Sequence, residues 1–313
     1  MKSARYHKCS GCNGPASLGL STGIRSNSDD DAPLQPHCSV PAEEGATRLA
    51  THLGLTAIGV ELNTQEDAAE ELRNLWRELI PSCHEQEQCR HPIVCCFCAK
   101  YLPSLVLAFK ADHRPAGPYH VMLLAVAQGV YFAKFMRTPA GANFYAFYVS
   151  RVLIPQCWEC AGYDDVLRLT VGLVILSTYA HDYKSQMQPL SAPTILQLKG
   201  WIRARTTRAI KVMQLFRAAS VPRDNYNYSA YESVVTLGIS VLNILDGKLK
   251  HEAKRLTLTR RETFDRYAAL HNDPNEIATR RECVRCQTVA YCCQTHQRQD
   301  WEEHKERCFE TVY

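Results

Sequence analysis

Apolar residues recur at three- and four-residue spacing through most of the chain. In TQEDAAEELRNLWRELIP (64–81), Ala68, Leu72, Leu75, Trp76 and Leu79 fall on one face, which predicts an amphipathic helix. Thr64 is placed to cap it, Gln65, Glu66 and Asp67 suit the positive end of the dipole, and Pro81 stops it. Apolar patterning predicts further helices at about 93–110, 119–137, 143–154, 164–182 and 194–219, separated by RPAGP, TPAGA and QPLSAP. YNYSAYESVVTLGISVLNILDG adds one more, ending near Gly247, and the charged stretch from Lys248 to Leu270 also reads as helical. Strand-like alternation is scarce. The fold class expected is mainly α: a helical bundle or an irregular α-solenoid. No repeat of fixed period appears, which argues against a regular solenoid.

Residues 1–45, with STGIRSNSDDDAPLQP, are poor in apolar residues and are expected to be disordered. The helical domain is expected over 46–270 and a separate small module over 271–313. The best apolar runs are LTVGLVILSTYA (169–180) and VMLLAVAQGVYFAKFM (121–136), the latter broken by Gln128 and Lys134. Both fall short of the ~20 residues a bilayer requires, so a soluble chain without a membrane partner is expected.

Composition changes this picture in one respect. The chain has 313 residues, 22% charged, with a net charge of +4, too mild to argue for nucleic acid. The fifteen cysteines are many. The start, MKSARYHKCSGCNG, has no apolar run of a secretory signal, so an intracellular, reducing location is expected, with nucleus and cytoplasm not distinguished. Cysteine-rich spacing then favours metal binding over disulfides.

The acid-free segment KGWIRARTTRAIKVMQLFRAASVPR carries Lys199, Arg203, Arg205, Arg208, Lys211, Arg217 and Arg223. It reads as a nucleic-acid or membrane surface, or as an amphipathic helix with Leu198, Ile202, Ala209, Met213 and Phe216 inward. The second reading is preferred, because a charge run on a helix is usually its solvated face.

The C-terminal stretch ECVRCQTVAYCCQTHQRQDWEEHKERC holds the clearest chemistry. Cys283 and Cys286 have the spacing of a metal-binding knuckle. His304 and Cys308 are four apart, hence on one face of a helix over WEEHKERC. Together they form a Cys₃His set suited to tetrahedral structural zinc. Cys292 and His296, also four apart, make a second half-site.

This stretch resembles the MYND zinc finger. The family pattern pairs eight ligands around two zinc ions in a cross-braced arrangement. Cys283, Cys286, Tyr291, Cys292, Gln297, Trp301, His304, Lys305 and Cys308 fall in its register. His296 stands where the family has cysteine, and Cys293 where it has serine. The family's first Cys-x-x-Cys pair is missing from LHNDPNEIATRRE (270–282). By the resemblance, one zinc site is complete. For the other, three outcomes stand open: the site is lost, Cys9 and Cys12 complete it, or His271 contributes. Cys95-x-x-Cys98 and Cys157-x-x-Cys160, with Cys83, His84, Cys89 and His91 nearby, could hold a metal in the body. Packing is the preferred reading, since free cysteine is among the most buried residues.

A four-ligand zinc site has no open position for substrate, so it points to display of a surface rather than catalysis. The resemblance implies a shallow groove for a protein partner's proline-rich peptide, with Gln297 and Trp301 as peptide-binding residues. The expected function is an adaptor or scaffold, not an enzyme. The alternatives are a divergent protein lysine methyltransferase, since some MYND proteins carry a SET domain, or a nucleic-acid-binding regulator. The Asn-His-Ser-Cys and Gly-Glu-Glu stretches of a SET domain are missing from the sequence. The acidic DWEEHKE runs against a groove-reading helix.

Overall fold

The computed structural model describes residues 40–56, 60–65, 67–80, 91–114, 117–127, 129–154, 163–182, 188–220, 222, 226–248, 281–291 and 294–313. The segment expected to be disordered (up to residue 39) and the expected helix 248–270 (from residue 249) lie outside these residues. So do Cys9, Cys12, Cys83, His84, Cys89, Cys157, Cys160 and His271.

The described body is helical, as patterning predicts. Its helices are α1 (Ala42–His52), α2 (Ala68–Leu79), α3 (Pro92–Ala111), α4 (Pro118–Val126), α5 (Val130–Met136), α6 (Pro139–Ala142), α7 (Phe144–Val152), α8 (Tyr163–Asp182), α9 (Ala192–Ala218) and α10 (Tyr226–Leu245). Three expectations need correction. Helix α1 starts at Ala42, ahead of the predicted domain start at residue 46. The expected helix 119–137 is two helices, with Gly129 extended at the start of α5. Helix α2 begins after Asp67 rather than at Thr64, and Asp67 makes no side-chain cap.

Helix α3 is the axis of the core. Pro92 occupies its first turn, where a missing N–H costs nothing, and His91 Nδ1 accepts from the Ile93 N–H at 3.3 Å. Most of its circumference is buried and apolar, from Ile93 to Phe109, because α1, α4 and α5 pack against it; Lys100 and Leu107 mark the face left open. Cys95, Cys96 and Cys98 are among them, buried as packing residues. Helix α1 approaches closely through Gly45, where a Cβ would lie 2.5 Å from Ile93 Cδ1. The end of α3 is held by Arg151 of α7, which is buried. Its guanidinium donates to the carbonyls of Phe109, Asp112 and Arg114 and lies over the Phe109 ring at 4.6 Å. Open carbonyls at a helix C-terminus are thereby satisfied inside the protein.

Helices α8, α9 and α10 extend this core. Leu198, Ile202, Ala209 and Met213 of α9 are buried and Phe216 packs on Tyr228 and Tyr231, while Arg203, Arg208 and Lys211 face outward. The basic segment is thus the amphipathic helix preferred from its spacing. Among the described residues, two stretches, Pro92–Ala111 and Tyr228–Leu245, are long and apolar enough to cross a membrane, in addition to the apolar runs singled out from the sequence. The first is 72% buried within the protein as the core helix, and the second is 33% buried, packed on α8 and α9.

Candidate metal centre

The C-terminal module is built from very little chain. Two-residue strands β1 (Arg281–Glu282) and β2 (Ala290–Tyr291) pair antiparallel, with Arg281 opposite Tyr291 and Glu282 opposite Ala290. The turn between them is the cysteine knuckle. The Cys283 N–H donates to the Val289 carbonyl at 3.0 Å, and the Gln287 N–H donates to the Cys283 carbonyl at 2.8 Å. Gln287 takes a left-handed conformation (φ 54°), which turns the chain sharply after Cys286. The Thr288 hydroxyl donates to Cys286 Sγ at 3.2 Å.

Helix α11 (Gln294–His304) delivers the third ligand, His304, from its last turn. Here the expected geometry needs correction. His304 and Cys308 do not share an α-helical face: the chain tightens into a 3₁₀ turn over Lys305–Arg307, and Cys308 is extended (φ −91°, ψ 92°). Helix α11 also starts at Gln294, ahead of the WEEHKERC stretch expected to form it. The tighter winding of the 3₁₀ turn, about three residues per turn, still brings the fourth ligand back to the cluster.

Cys283, Cys286, His304 and Cys308 are all buried, and their ligand atoms lie within 4.8 Å of one another. Cys283 Sγ and Cys308 Sγ are 3.6 Å apart, and Cys286 Sγ and His304 Nε2 are 3.5 Å apart. Tetrahedral zinc, with Zn–S of about 2.3 Å and Zn–N of about 2.0 Å, sets sulfur–sulfur edges of ~3.8 Å and sulfur–nitrogen edges of ~3.5 Å. The donor set therefore fits zinc in chemistry and in size. Among the described residues it is the one such group.

Electrostatics agree with this assignment. Burial holds the His304 imidazole below its usual range, which favours the neutral, metal-binding form. Burial pushes the Cys286 and Cys308 thiols up, and the charge of neighbouring cysteines adds to it. Burial also raises Cys283, but backbone N–H groups of Cys286 and Arg285 and the adjacent thiols outweigh it, so this thiol falls below its ordinary value. Three sulfurs at this distance resist shared ionisation unless a cation replaces the protons.

Of the other predicted site residues, Cys292 lies outside the described residues, as does the side chain of His296. Gln297 and Trp301 stand on α11. Gln297 is half-buried and Trp301 is 40% exposed, its ring 5.9 Å from that of His304.

The sequence reading missed how the module is anchored. Cys283, Cys286 and Cys308 belong to the same buried cluster as α3 and α5. Tyr131 of α5 donates its hydroxyl to the Arg307 carbonyl at 2.7 Å and accepts from the Phe309 N–H at 2.7 Å. The Val312 N–H donates to the Ala99 carbonyl of α3 at 3.1 Å, and the Tyr313 hydroxyl donates to the Tyr131 carbonyl at 3.0 Å. Lys134 Nζ reaches the Cys286 carbonyl at 3.2 Å. The one hint in the sequence is that Lys134 puts a charge into an apolar run.

Comparison with known proteins agrees with the geometry. Residues 272–308 match the MYND finger. No curated protein and no solved structure matches the chain. The matched residues carry all four clustered ligands, and the C-terminal segment of this helical protein is a MYND zinc finger.

Proposed function

We propose that this chain is an adaptor whose finger captures a short, proline-rich peptide of a protein partner. MYND fingers are zinc-binding and typically serve as protein–protein interaction modules. The observation that carries this reading is the pairing of a closed ligand set with an exposed indole. Four protein ligands leave zinc no open position, so its role is to hold a surface. Trp301 and Gln297 sit one helical turn apart on that surface, outside the ligand cluster. A half-exposed indole offers a flat apolar face to a proline ring, and the neighbouring amide can bond a peptide carbonyl. A polyproline conformation suits such a site, since its backbone is already extended and loses little entropy on binding.

In this reading the chain is not an enzyme, acts in a reducing intracellular compartment, and engages neither membrane nor nucleic acid. It holds one zinc ion. Isothermal titration of the full chain with a library of proline-rich peptides tests it. Saturable binding that requires zinc supports the reading. Methyl transfer to a lysine peptide, or tight salt-sensitive DNA binding without peptide binding, would replace it.

A further inference from the structure

Lys134 is the one basic residue in the stretch from Val130 to Met136, which otherwise builds the core. Its ammonium turns away from that core toward the finger. It donates to the Cys286 carbonyl at 3.2 Å and to Thr311 Oγ1, and lies 5.8 Å from the centre of the Tyr313 ring. Arg137 and Glu282 are the other charged groups close enough to influence it. Among the described residues, no carboxylate is within ion-pair distance of its ammonium.

Zinc chemistry gives this placement a consequence. Three thiolates, a neutral imidazole and a divalent ion leave one net negative charge. All four ligands are buried, so water screens that charge poorly. A half-buried ammonium with no carboxylate partner among the described residues is held against the carbonyl of one of those ligands. We propose that Lys134, on the helical body, is the counter-cation of the zinc–thiolate centre, so that the body completes electrostatically a site whose ligands all come from the finger. Thr311 and Tyr313, beyond the last ligand, hold the ammonium in place. The inference rests on the zinc reading above. It makes Lys134 a positioning residue for the metal, acting through charge.

The test is competition between the full chain and a chromophoric chelator for zinc, with circular dichroism checking that each variant folds. Native mass spectrometry of the wild type comes first; no zinc there would overturn the metal reading itself, before Lys134 is in question. With zinc bound, Lys134→Met and Lys134→Gln are both expected to weaken zinc retention by about tenfold, the scale on which groups around metal ligands act. Lys134→Arg, which keeps the charge, is expected to stay within about threefold of wild type. A packing role would spare Met, which matches lysine in bulk. A hydrogen-bonding role would spare Gln, which keeps a donor. Retention by Met or Gln equal to wild type, or loss by Arg as large as by Met, would overturn the proposal.

Discussion

The hydroxyl of Tyr131 and the backbone of Phe309 are hydrogen-bonded at 2.7 Å across an interface between residues far apart in sequence. Phe309 directly follows the last zinc ligand, and Tyr131 lies in the core helix α5. The contact makes finger and body one packed unit. Burial pushes the Tyr131 phenol far above its usual range, so it remains a neutral donor and acceptor at any ordinary pH. Tyr131→Phe would remove the hydroxyl that bonds the Phe309 N–H and the Arg307 carbonyl at this part-buried junction. We expect a loss of about 1–3 kcal/mol in urea unfolding, with faster zinc release to a chelator.

Cys286→Ser is expected to abolish zinc binding. Because Cys286 is fully buried in the cluster shared with α3 and α5, the loss is expected to reach the body. Hydrogen exchange is expected to quicken at Val312 and Tyr313 and in the first turns of α3, while α8 to α10 keep their protection. Unchanged exchange in α3 would show the finger to be energetically separate.

Trp301→Ala tests the peptide surface. The side chain is 40% exposed and is not a ligand. Peptide affinity is expected to fall by about tenfold or more, the scale of a central aromatic anchor, with zinc content unchanged by mass spectrometry.

Gly172→Ala tests the packing of α8 on α7. A Cβ there would lie 2.0 Å from the hydroxyl of Tyr148, which is fully buried and bonded to His120 Nε2 at 2.8 Å. Overpacking is expected to cost about 1–3 kcal/mol despite alanine's better helix propensity, read from urea midpoints.

Asp246 gives a pH dependence. Its carboxyl accepts from Lys199 at 2.6 Å, and this hydrogen bond, with the charges of Lys199 and Lys248, holds it below its ordinary value of 3.8. A carboxylate depressed on folding stabilises the protein above its unfolded pKa, and that contribution is lost as pH falls through the folded one. The difference in urea midpoint between wild type and Asp246→Asn is expected to be present at neutral pH. It should vanish below the carboxylate range and shrink with salt, as for any exposed pair.

The sequence by itself determined the helices and the four clustered residues Cys283, Cys286, His304 and Cys308, because both are written at short range. A helix is read from spacing along the chain, as Leu198, Ile202, Ala209 and Met213 show in α9. The knuckle is read from two cysteines three apart. What lay beyond its reach was set partly by local competition and partly at longer range. The break before Gly129 and the start of α2 at Ala68 are local competitions that apolar spacing does not resolve. Cys308 reaches the cluster through a 3₁₀ turn, which residue spacing alone reads as α-helix. The tertiary structure alone decided that Tyr131, Lys134 and Ala99 meet the finger. Hydrogen bonds and counter-charges between residues far apart in the chain leave no period in the sequence, so folding is what brings such partners together.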